Sequence, residues 1–209
     1  TFSSRGLGDV YKRQDVCLEI PNGPSLFTDI DLAGDLATRH SYACSVITIC
    51  GVIVLIKVIR SNTVFPHTTD AEMYSTYVGV HKLRVVRSLF RNMGLHTIVA
   101  DPTLAYGDNA ATLSIIESER ITPRVRHFDI PIAYLHEHRR QETFIPQKVS
   151  THLQLADLGT KPHTPVVLRR LRDWGFGVRY YPTEGSEHYV SLGLKYYGVR
   201  FTDIVDTYS

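Results

Sequence analysis

The most apolar stretch of the chain is ACSVITICGVIVLI, residues 43–56, and its interpretation decides the fold class. Its 14 residues are too few to span a bilayer, and Lys57 follows directly. Valine and isoleucine dominate the stretch and Gly51 divides it, so it predicts two buried β-strands that meet at a turn. The flanking residues extend these strands to 41–50 and 52–60.

The segments on either side continue the pattern of an α/β protein. SLFTDID, residues 25–31, predicts a strand before the hairpin, and apolar residues spaced from Thr69 to Met93 predict a long helix that stops at Gly94. Further along we expect a strand at 103–107, helices at 109–118 and from 129 to 140, a strand at 143–150, a short helix at 153–162 and a helix at 164–175. This order predicts a mixed sheet with helices packed on it.

Composition allows one globular domain and excludes few functions. The chain has 209 residues, of which 43% are hydrophobic, and its formal net charge is only +2. Affinity for nucleic acid would therefore have to come from local clusters of basic residues. The three cysteines form no C-x-x-C motif, which argues against a disulfide framework or a structural zinc and for a reducing compartment.

The two ends of the chain differ from its middle. SSRGLGDVYKRQ, residues 3–14, resembles translated sequencing-adapter sequence, so we treat residues 1–14 as an artefact and expect a fragment of a longer protein. The predicted organisation places one α/β domain at 15–162. A C-terminal helix and a tyrosine-rich appendage, expected to form a small β unit or to contact a nucleic-acid strand, then occupy 163–209.

Four acidic residues fall at the ends of predicted elements. Asp29 closes the first strand, Asp108 follows the fourth, Asp157 lies in a late short helix and Glu72 opens the long helix. Their spacing carries no metal signature, and periodicity cannot show that they converge. Glu72 also fits a capping box with Thr69, in which its carboxylate would only bind a backbone N–H.

Five motifs in this order resemble one family: FTDIDLAGD, TTDAEMYS, YGDNAAT, RHFDI and QLADLGTKP. Together they are similar to the ribonuclease H domain of copia-type LTR retrotransposon polyproteins, in the reverse transcriptase/ribonuclease H region. The resemblance extends from about Ser25 to Pro162. It implies an RNase H-like fold with a mixed five-stranded sheet and flanking helices.

The resemblance also implies an activity and its residues. The family's four catalytic acids correspond to Asp29, Glu72, Asp108 and Asp157, which would hold two Mg²⁺ ions, or Mn²⁺, for hydrolysis of the RNA strand of RNA–DNA hybrids. In that arrangement Asp29 bridges both ions, Glu72 and Asp108 hold one, and Asp157 holds the other. His152 is a further candidate, for proton transfer or product release, with an exposed loop histidine as the alternative.

Partners and alternatives follow from the same resemblance. We expect a retrotransposon hydrolase that works with the reverse transcriptase domain of its own polyprotein, in a cytoplasmic virus-like particle and without a membrane. The alternative is a catalytically inactive module of a decayed element that binds hybrid or tethers the polymerase. A DNA-cutting nuclease of the same fold, such as an integrase, fits the four acids less well.

Basic and polar residues are candidates for contact with the hybrid. Arg84, Arg87 and Arg91 follow i, i+3, i+7 spacing on the long helix and could follow phosphates, although a solvated helix face is the alternative. The side-chain amide of Asn109 is a candidate contact to the RNA strand. HEH, residues 136–138, predicts a solvated helix face and not a metal site.

Overall fold

The computed structural model describes residues 23–118, 128–175, 178–183 and 186–191. A five-stranded sheet is built from β1 (Pro24–Asp31), β2 (Tyr42–Ile49), β3 (Val52–Arg60), β4 (Thr103–Gly107) and β5 (Phe144–Lys148). The strand order is β3-β2-β1-β4-β5, with β2 antiparallel to both β1 and β3 and β4 parallel to both β1 and β5. The predicted mixed five-stranded sheet is confirmed.

Helices cover both faces of this sheet. α1 (Thr68–Asn92), α2 (Ala110–Ser118) and α3 (Asp129–Arg140) pack their apolar side chains on one face, around Leu26 of β1. A 3₁₀ helix at Leu155–Gly159 and the helix α4 (Pro165–Gly175) cover Phe27 on the other face. Shorter 3₁₀ turns lie at His96–Val99 and Thr151–Leu153. Apolar packing on both faces therefore holds β1 and β2 in the middle of the molecule.

The β2–β3 hairpin turns where Gly51 predicted it. Cys50 and Gly51 both have positive φ, at 51° and 79°, as a two-residue type I′ turn requires. β2 is buried almost throughout, as expected. The expectation that β3 is also buried is wrong, because β3 is an edge strand and leaves Val54 and Ile56 each 49% exposed. The other edge strand, β5, contains Pro146, a residue that edge strands tolerate.

Helix α1 begins without the capping box that was the alternative interpretation of Thr69 and Glu72. Its N-cap is His67, no side chain caps it, and Thr69 is already the second helical residue, so Glu72 lies in the second turn. At the other end the chain leaves the helix through Gly94, which has φ of 79°. The amides of Gly94 and Leu95 donate to the carbonyls of Arg91 and Phe90, the bonds of a Schellman motif.

The C-terminal part of the described chain forms a separate hairpin. β6 (Val178–Thr183) pairs antiparallel with β7 (Ser186–Ser191), within the segment for which a β appendage or a nucleic-acid contact was predicted. The suspected artefact at 1–14 and residues 192–209 lie outside the described residues, and the domain boundaries at 15 and 162 stay predictions. None of the helices in the described segments has the length and apolar character to cross a membrane.

Candidate active site

Two parallel strands bring two of the acids to one edge of the sheet. Phe27 on β1 is in register with Tyr106 on β4, and their rings stack with centroids 4.7 Å apart. Side chains two residues further along a strand point to the same side of the sheet. Asp29 and Asp108 stand two residues beyond Phe27 and Tyr106, so they reach the same side of the carboxyl edge.

Helix α1 supplies the third acid because it packs closely on β1. A Cβ on Gly79 would lie only 2.5 Å from Cγ2 of Thr28, so glycine allows this close approach. Nearer the start of the helix, the Ser75 hydroxyl donates to the backbone carbonyl of Asp29 at 2.8 Å. These contacts fix the first turns of α1 over the end of β1, where Glu72 faces the two aspartates.

Three carboxylates form one compact cluster. One oxygen each from Asp29, Glu72 and Asp108 lies within 4.8 Å of the others. Asp29 is 2% exposed and Glu72 is 6% exposed, while Asp108 is only half-buried and is the most exposed of the three. An all-oxygen donor set of this kind fits a hard divalent cation such as Mg²⁺ or Mn²⁺. These three residues could hold one such ion.

The electrostatics of the cluster favour a cation. Burial, and then the charges of Asp29 and Asp108, raise the pKa of Glu72 to about 9. Burial also raises the pKa of Asp29, against the hydrogen bond from Thr160 and the charge of Lys161. The pKa of Asp108 is raised by burial and by Asp29. Without a cation, the three groups therefore resist simultaneous ionisation.

The fourth acid, Asp157, is connected to the cluster through a lysine. Asp157 is buried, and its Oδ1 accepts a hydrogen bond from Nζ of Lys161 at 2.7 Å. The same Nζ lies 3.4 Å from Oδ2 of Asp29. Partial burial opposes the charge on the ammonium, but the hydrogen bond to Asp157 and the charge of Asp29 raise the pKa of Lys161. The ammonium therefore stands between the two carboxylates.

The 3₁₀ helix that carries Asp157 is fixed against β1 and β2. Gln154 is fully buried, and its side-chain amide donates to the backbone carbonyl of Thr28 at 3.0 Å. A Cβ on Gly159 would lie 2.6 Å from Sγ of Cys44, which is the β2 partner of Asp29. The absent side chain at Gly159 lets the next residues reach Asp29. The Thr160 hydroxyl makes a short hydrogen bond to Oδ2 of Asp29.

Thr160 and Lys161 are site residues to which the sequence analysis assigned no role. Both belong to the QLADLGTKP motif that carried the resemblance. A local signal for Lys161 was present, since Asp157 and Lys161 have the i, i+4 spacing of an ion pair. No local signal points from Thr160 to Asp29, because the two residues lie 131 positions apart.

Asn109 and His152 lie at the ends of short elements. Oδ1 of Asn109 accepts from the backbone amides of Ala111 and Thr112, so this side chain caps α2 directly after Asp108. His152 is exposed in the 3₁₀ turn after β5, where its backbone amide bonds the hydroxyl of Ser150. The cap holds the chain that carries Asp108. The roles of Asn109 and His152 in binding or catalysis stay predictions.

The three arginines predicted to share one face of α1 differ in their exposure to solvent. Arg84 and Arg91 are exposed, and Arg84 donates to the hydroxyl of Tyr134 at 3.1 Å. Arg87 is only 3% exposed. Its guanidinium donates to the carbonyls of Val99 and Asp101 and to the Thr103 hydroxyl, at 2.8–2.9 Å. The expectation that Arg87 contacts phosphates is therefore wrong, because it ties α1 to the start of β4.

The interpretation of HEH as a solvated face is also wrong. His136 is 3% exposed and its Nε2 donates to the carbonyl of Ile115 at 3.0 Å, which joins α3 to α2. His138 is 7% exposed and packs edge-on against Tyr134, with ring centroids 4.4 Å apart. Both histidines belong to the packing of α3, and only Glu137 between them is exposed.

Comparison with known proteins agrees with this architecture. No protein-family model matches the sequence. Among solved structures, LC11-RNase H1, isolated from compost by a metagenomic approach, matches with a TM-score of 0.50 over 67% of this chain and 94% of that one, at 14% identity. The fold is RNase H-like. Identity this low shows the fold alone, and the chemistry must be argued from the site.

Two further RNase H structures are similar at lower scores. LC11-RNase H1 in complex with an RNA/DNA hybrid has a TM-score of 0.48 and 13% identity, over 66% of this chain and 93% of that one. RNase H1 from the halophilic archaeon Halobacterium salinarum has a TM-score of 0.43 and 12% identity, over the same shares, 66% and 93%.

Proposed function

We propose that the chain is a Mg²⁺-dependent endonuclease that cleaves the RNA strand of RNA–DNA hybrids. The observation that carries the proposal is the cluster of Asp29, Glu72 and Asp108 oxygens within 4.8 Å of one another, at the carboxyl edge of an RNase H-like sheet. Asp157 adds a fourth buried carboxylate beside it. Separate segments of the chain place acids together against their mutual repulsion, which is typical of a cation-dependent site.

Different residues of the site would bind the metal ion and hold its ligands in position. Asp29, Glu72 and Asp108 would hold the ion, which when bound lowers the pKa of water and offsets charge on the phosphate. Thr160 and the Ser75–Asp29 bond keep the Asp29 carboxylate and its strand in place. Asp108 is half-buried, so the open side of the cluster is the side from which a phosphodiester can approach.

Contacts to the hybrid are assigned to exposed groups near this opening or on α1. Arg84 and Arg91 are available to phosphates, and His152 to proton transfer or product release. The Oδ1 of Asn109 is occupied by the α2 cap, so its contact to a 2′-hydroxyl would have to come from Nδ2.

The biological setting is proposed from the five motifs. Their order and spacing support a copia-type retrotransposon polyprotein, in which this domain would follow a reverse transcriptase and act in a cytoplasmic virus-like particle. A supporting experiment would join the chain to a copia-type reverse transcriptase and compare hybrid cleavage by the fused and the separate domains. Equal cleavage by both would argue against a functional partnership.

The test of the activity uses a labelled RNA–DNA hybrid. We expect cleavage with Mg²⁺, none with EDTA, and loss of cleavage in Asp29→Asn. Asp101→Asn is the matched control, because Asp101 is exposed, lies outside the acidic cluster and keeps in the variant the backbone carbonyl that accepts from Arg87. Cleavage that survives Asp29→Asn would refute the assigned site. Binding of hybrid by the wild type without metal-dependent cleavage would favour the inactive tethering module.

A further inference from the structure

The Lys161 ammonium occupies the side of the site where the family pattern expects a second metal ion. Its Nζ is 2.7 Å from Oδ1 of Asp157 and 3.4 Å from Oδ2 of Asp29. These are the two carboxylates that would have to share that ion. Resting on the function proposed above, we propose that Lys161 is the permanent second cation of the site, so that the protein holds one divalent ion, at Asp29, Glu72 and Asp108.

The position of Lys161 is built by the fold and is not that of a loose surface side chain. Its backbone amide donates to the carbonyl of Asp157 at 3.1 Å, one turn earlier. The preceding residues are fixed by the close approach of Gly159 to Cys44 and by the hydrogen bond of Thr160 to Asp29. The side chain is 39% exposed, whereas the Asp29 and Asp157 side chains are 2% and 8% exposed. The lysine thus covers two buried carboxylates and still reaches solvent.

A second divalent ion would compete directly with this ammonium. Mg²⁺ requires its oxygen ligands at about 2.0–2.1 Å in a nearly regular octahedron. Oδ2 of Asp29 already accepts from Thr160 and faces Lys161, and Oδ1 of Asp157 accepts from Lys161. An ion bound to these oxygens would stand beside a positive charge unless the lysine left. Among the described residues, the ion pairs of Lys161 are with Asp29 and Asp157, and its charge acts on Glu72 and Asp108 only without such a contact.

The chemistry of lysine suits this role. An ammonium has three N–H donors and a compact charge. One N–H donates to Asp157, the ammonium lies within ion-pair distance of Asp29, and an N–H on the exposed side can reach a phosphate oxygen. Lys161 can therefore offset negative charge on the phosphate in place of a second metal ion.

The test counts metal ions by a method independent of activity. Mn²⁺ is titrated into the full chain and followed by calorimetry and by electron paramagnetic resonance, because two Mn²⁺ ions about 3.5–4 Å apart are exchange-coupled. The titration is repeated with a hybrid carrying 2′-O-methyl groups on its RNA strand, so that a site completed by substrate phosphate is also counted. We expect one uncoupled ion in the wild type and two coupled ions in Lys161→Met.

Two variants control for loss of charge and for misfolding. Lys57→Met removes one positive charge from β3, on the sheet face opposite to the Asp29 side chain, and should keep one ion. Lys161→Arg retains the charge and should also keep one ion. A coupled pair in the wild type, with or without hybrid, would overturn the proposal. So would a folded Lys161→Met protein that still binds a single ion.

Cleavage of an ordinary hybrid separates this proposal from the proposed nuclease activity. We expect a single-site dependence of the wild-type rate on free Mn²⁺ and a sigmoidal one in Lys161→Met. Efficient cleavage with a coupled ion pair in the wild type would refute the role of Lys161 and leave the nuclease standing. One bound ion without any cleavage would refute the nuclease activity and leave the role of Lys161 standing.

Discussion

Replacing Glu72 by glutamine should stabilise the metal-free protein. The Glu72 carboxyl is 6% exposed, and burial together with Asp29 and Asp108 raises its pKa from 4.5 to about 9. The folded protein therefore keeps the Glu72 proton over a pH range in which the unfolded chain has lost it. Within that range the free energy of unfolding falls as the pH rises, because the folded state binds more protons than the unfolded state. Glutamine is nearly isosteric and does not ionise.

The size of the effect follows from the two pKa values. At pH 7, about 2.5 units above the ordinary value of 4.5, keeping the proton costs about 3 kcal/mol, at about 1.36 kcal/mol per unit. Glu72→Gln removes this cost, which for a chain of this size corresponds to a melting temperature about 6–12 °C higher. The difference should be near zero at pH 4.5 and grow by at most about 1.4 kcal/mol per pH unit up to pH 9.

Divalent ions at pH 7 should remove most of this difference in stability. Mg²⁺ at about 100 times its dissociation constant adds about 2.7 kcal/mol to a protein that binds it only when folded. The wild type should gain this and Glu72→Gln should not, because one of three ligands is lost. The assay is urea unfolding in EDTA and in Mg²⁺ between pH 5 and 9, with Glu117→Gln on the exposed end of α2 as the control.

One result would refute this reasoning about Glu72. If the wild type in EDTA were more stable than Glu72→Gln at pH 7 and above, the carboxylate would be ionised and favourably paired in the folded protein. A stability difference that did not change between pH 5 and 9 would show that the folded state does not raise the pKa of Glu72. Either result would remove the electrostatic argument for a cation at this cluster.

Three further substitutions test how the site is supported. Arg87→Met should lower the free energy of unfolding by about 2–4 kcal/mol in urea titrations, because buried oxygens lose a charged donor, and hybrid binding by the folded variant should be unchanged. Gly79→Ala should cost about 1–3 kcal/mol by the same assay despite the better helix propensity of alanine, because its Cβ would meet Thr28, and a stabilised variant would contradict the close packing. Gly159→Ala should allow a second Mn²⁺ ion to bind, measured by calorimetry, since its Cβ would push the 3₁₀ helix away from Cys44 and move Lys161 away from Asp29, and an unchanged count of one ion would show that this helix does not hold Lys161 at the site.

Most of the fold could be predicted because its signals are local. The hairpin of β2 and β3 was marked by Gly51 between two runs of β-branched residues, and the end of α1 by Gly94. The exposure of β3 could not be predicted in this way. An edge strand and a central strand have the same propensity for extended structure, and only the sheet order decides which one is exposed.

On the helices, the predictions that failed were mainly those of polar side chains that lie in the interior. Arg87 has the same helical spacing as Arg84 and Arg91, yet it turns inward because the unpaired carbonyls of Val99 and Asp101 lie beneath it. His136 is inside, where its Nε2 donates to the carbonyl of Ile115 on α2. Such partners come from other segments of the chain, so spacing on one helix cannot reveal them.

The motifs predicted the acidic residues of the site but not all of the contacts between them. The resemblance supplied the four acids, and the parallel register of β1 with β4 explains physically why Asp29 and Asp108 meet. It did not anticipate that a lysine would stand between Asp157 and Asp29. The Asp157–Lys161 pair is local and follows from i, i+4 spacing, but its reach to Asp29 depends on the missing Cβ of Gly159. A single glycine therefore determines whether that lysine is a surface charge or part of the acidic site.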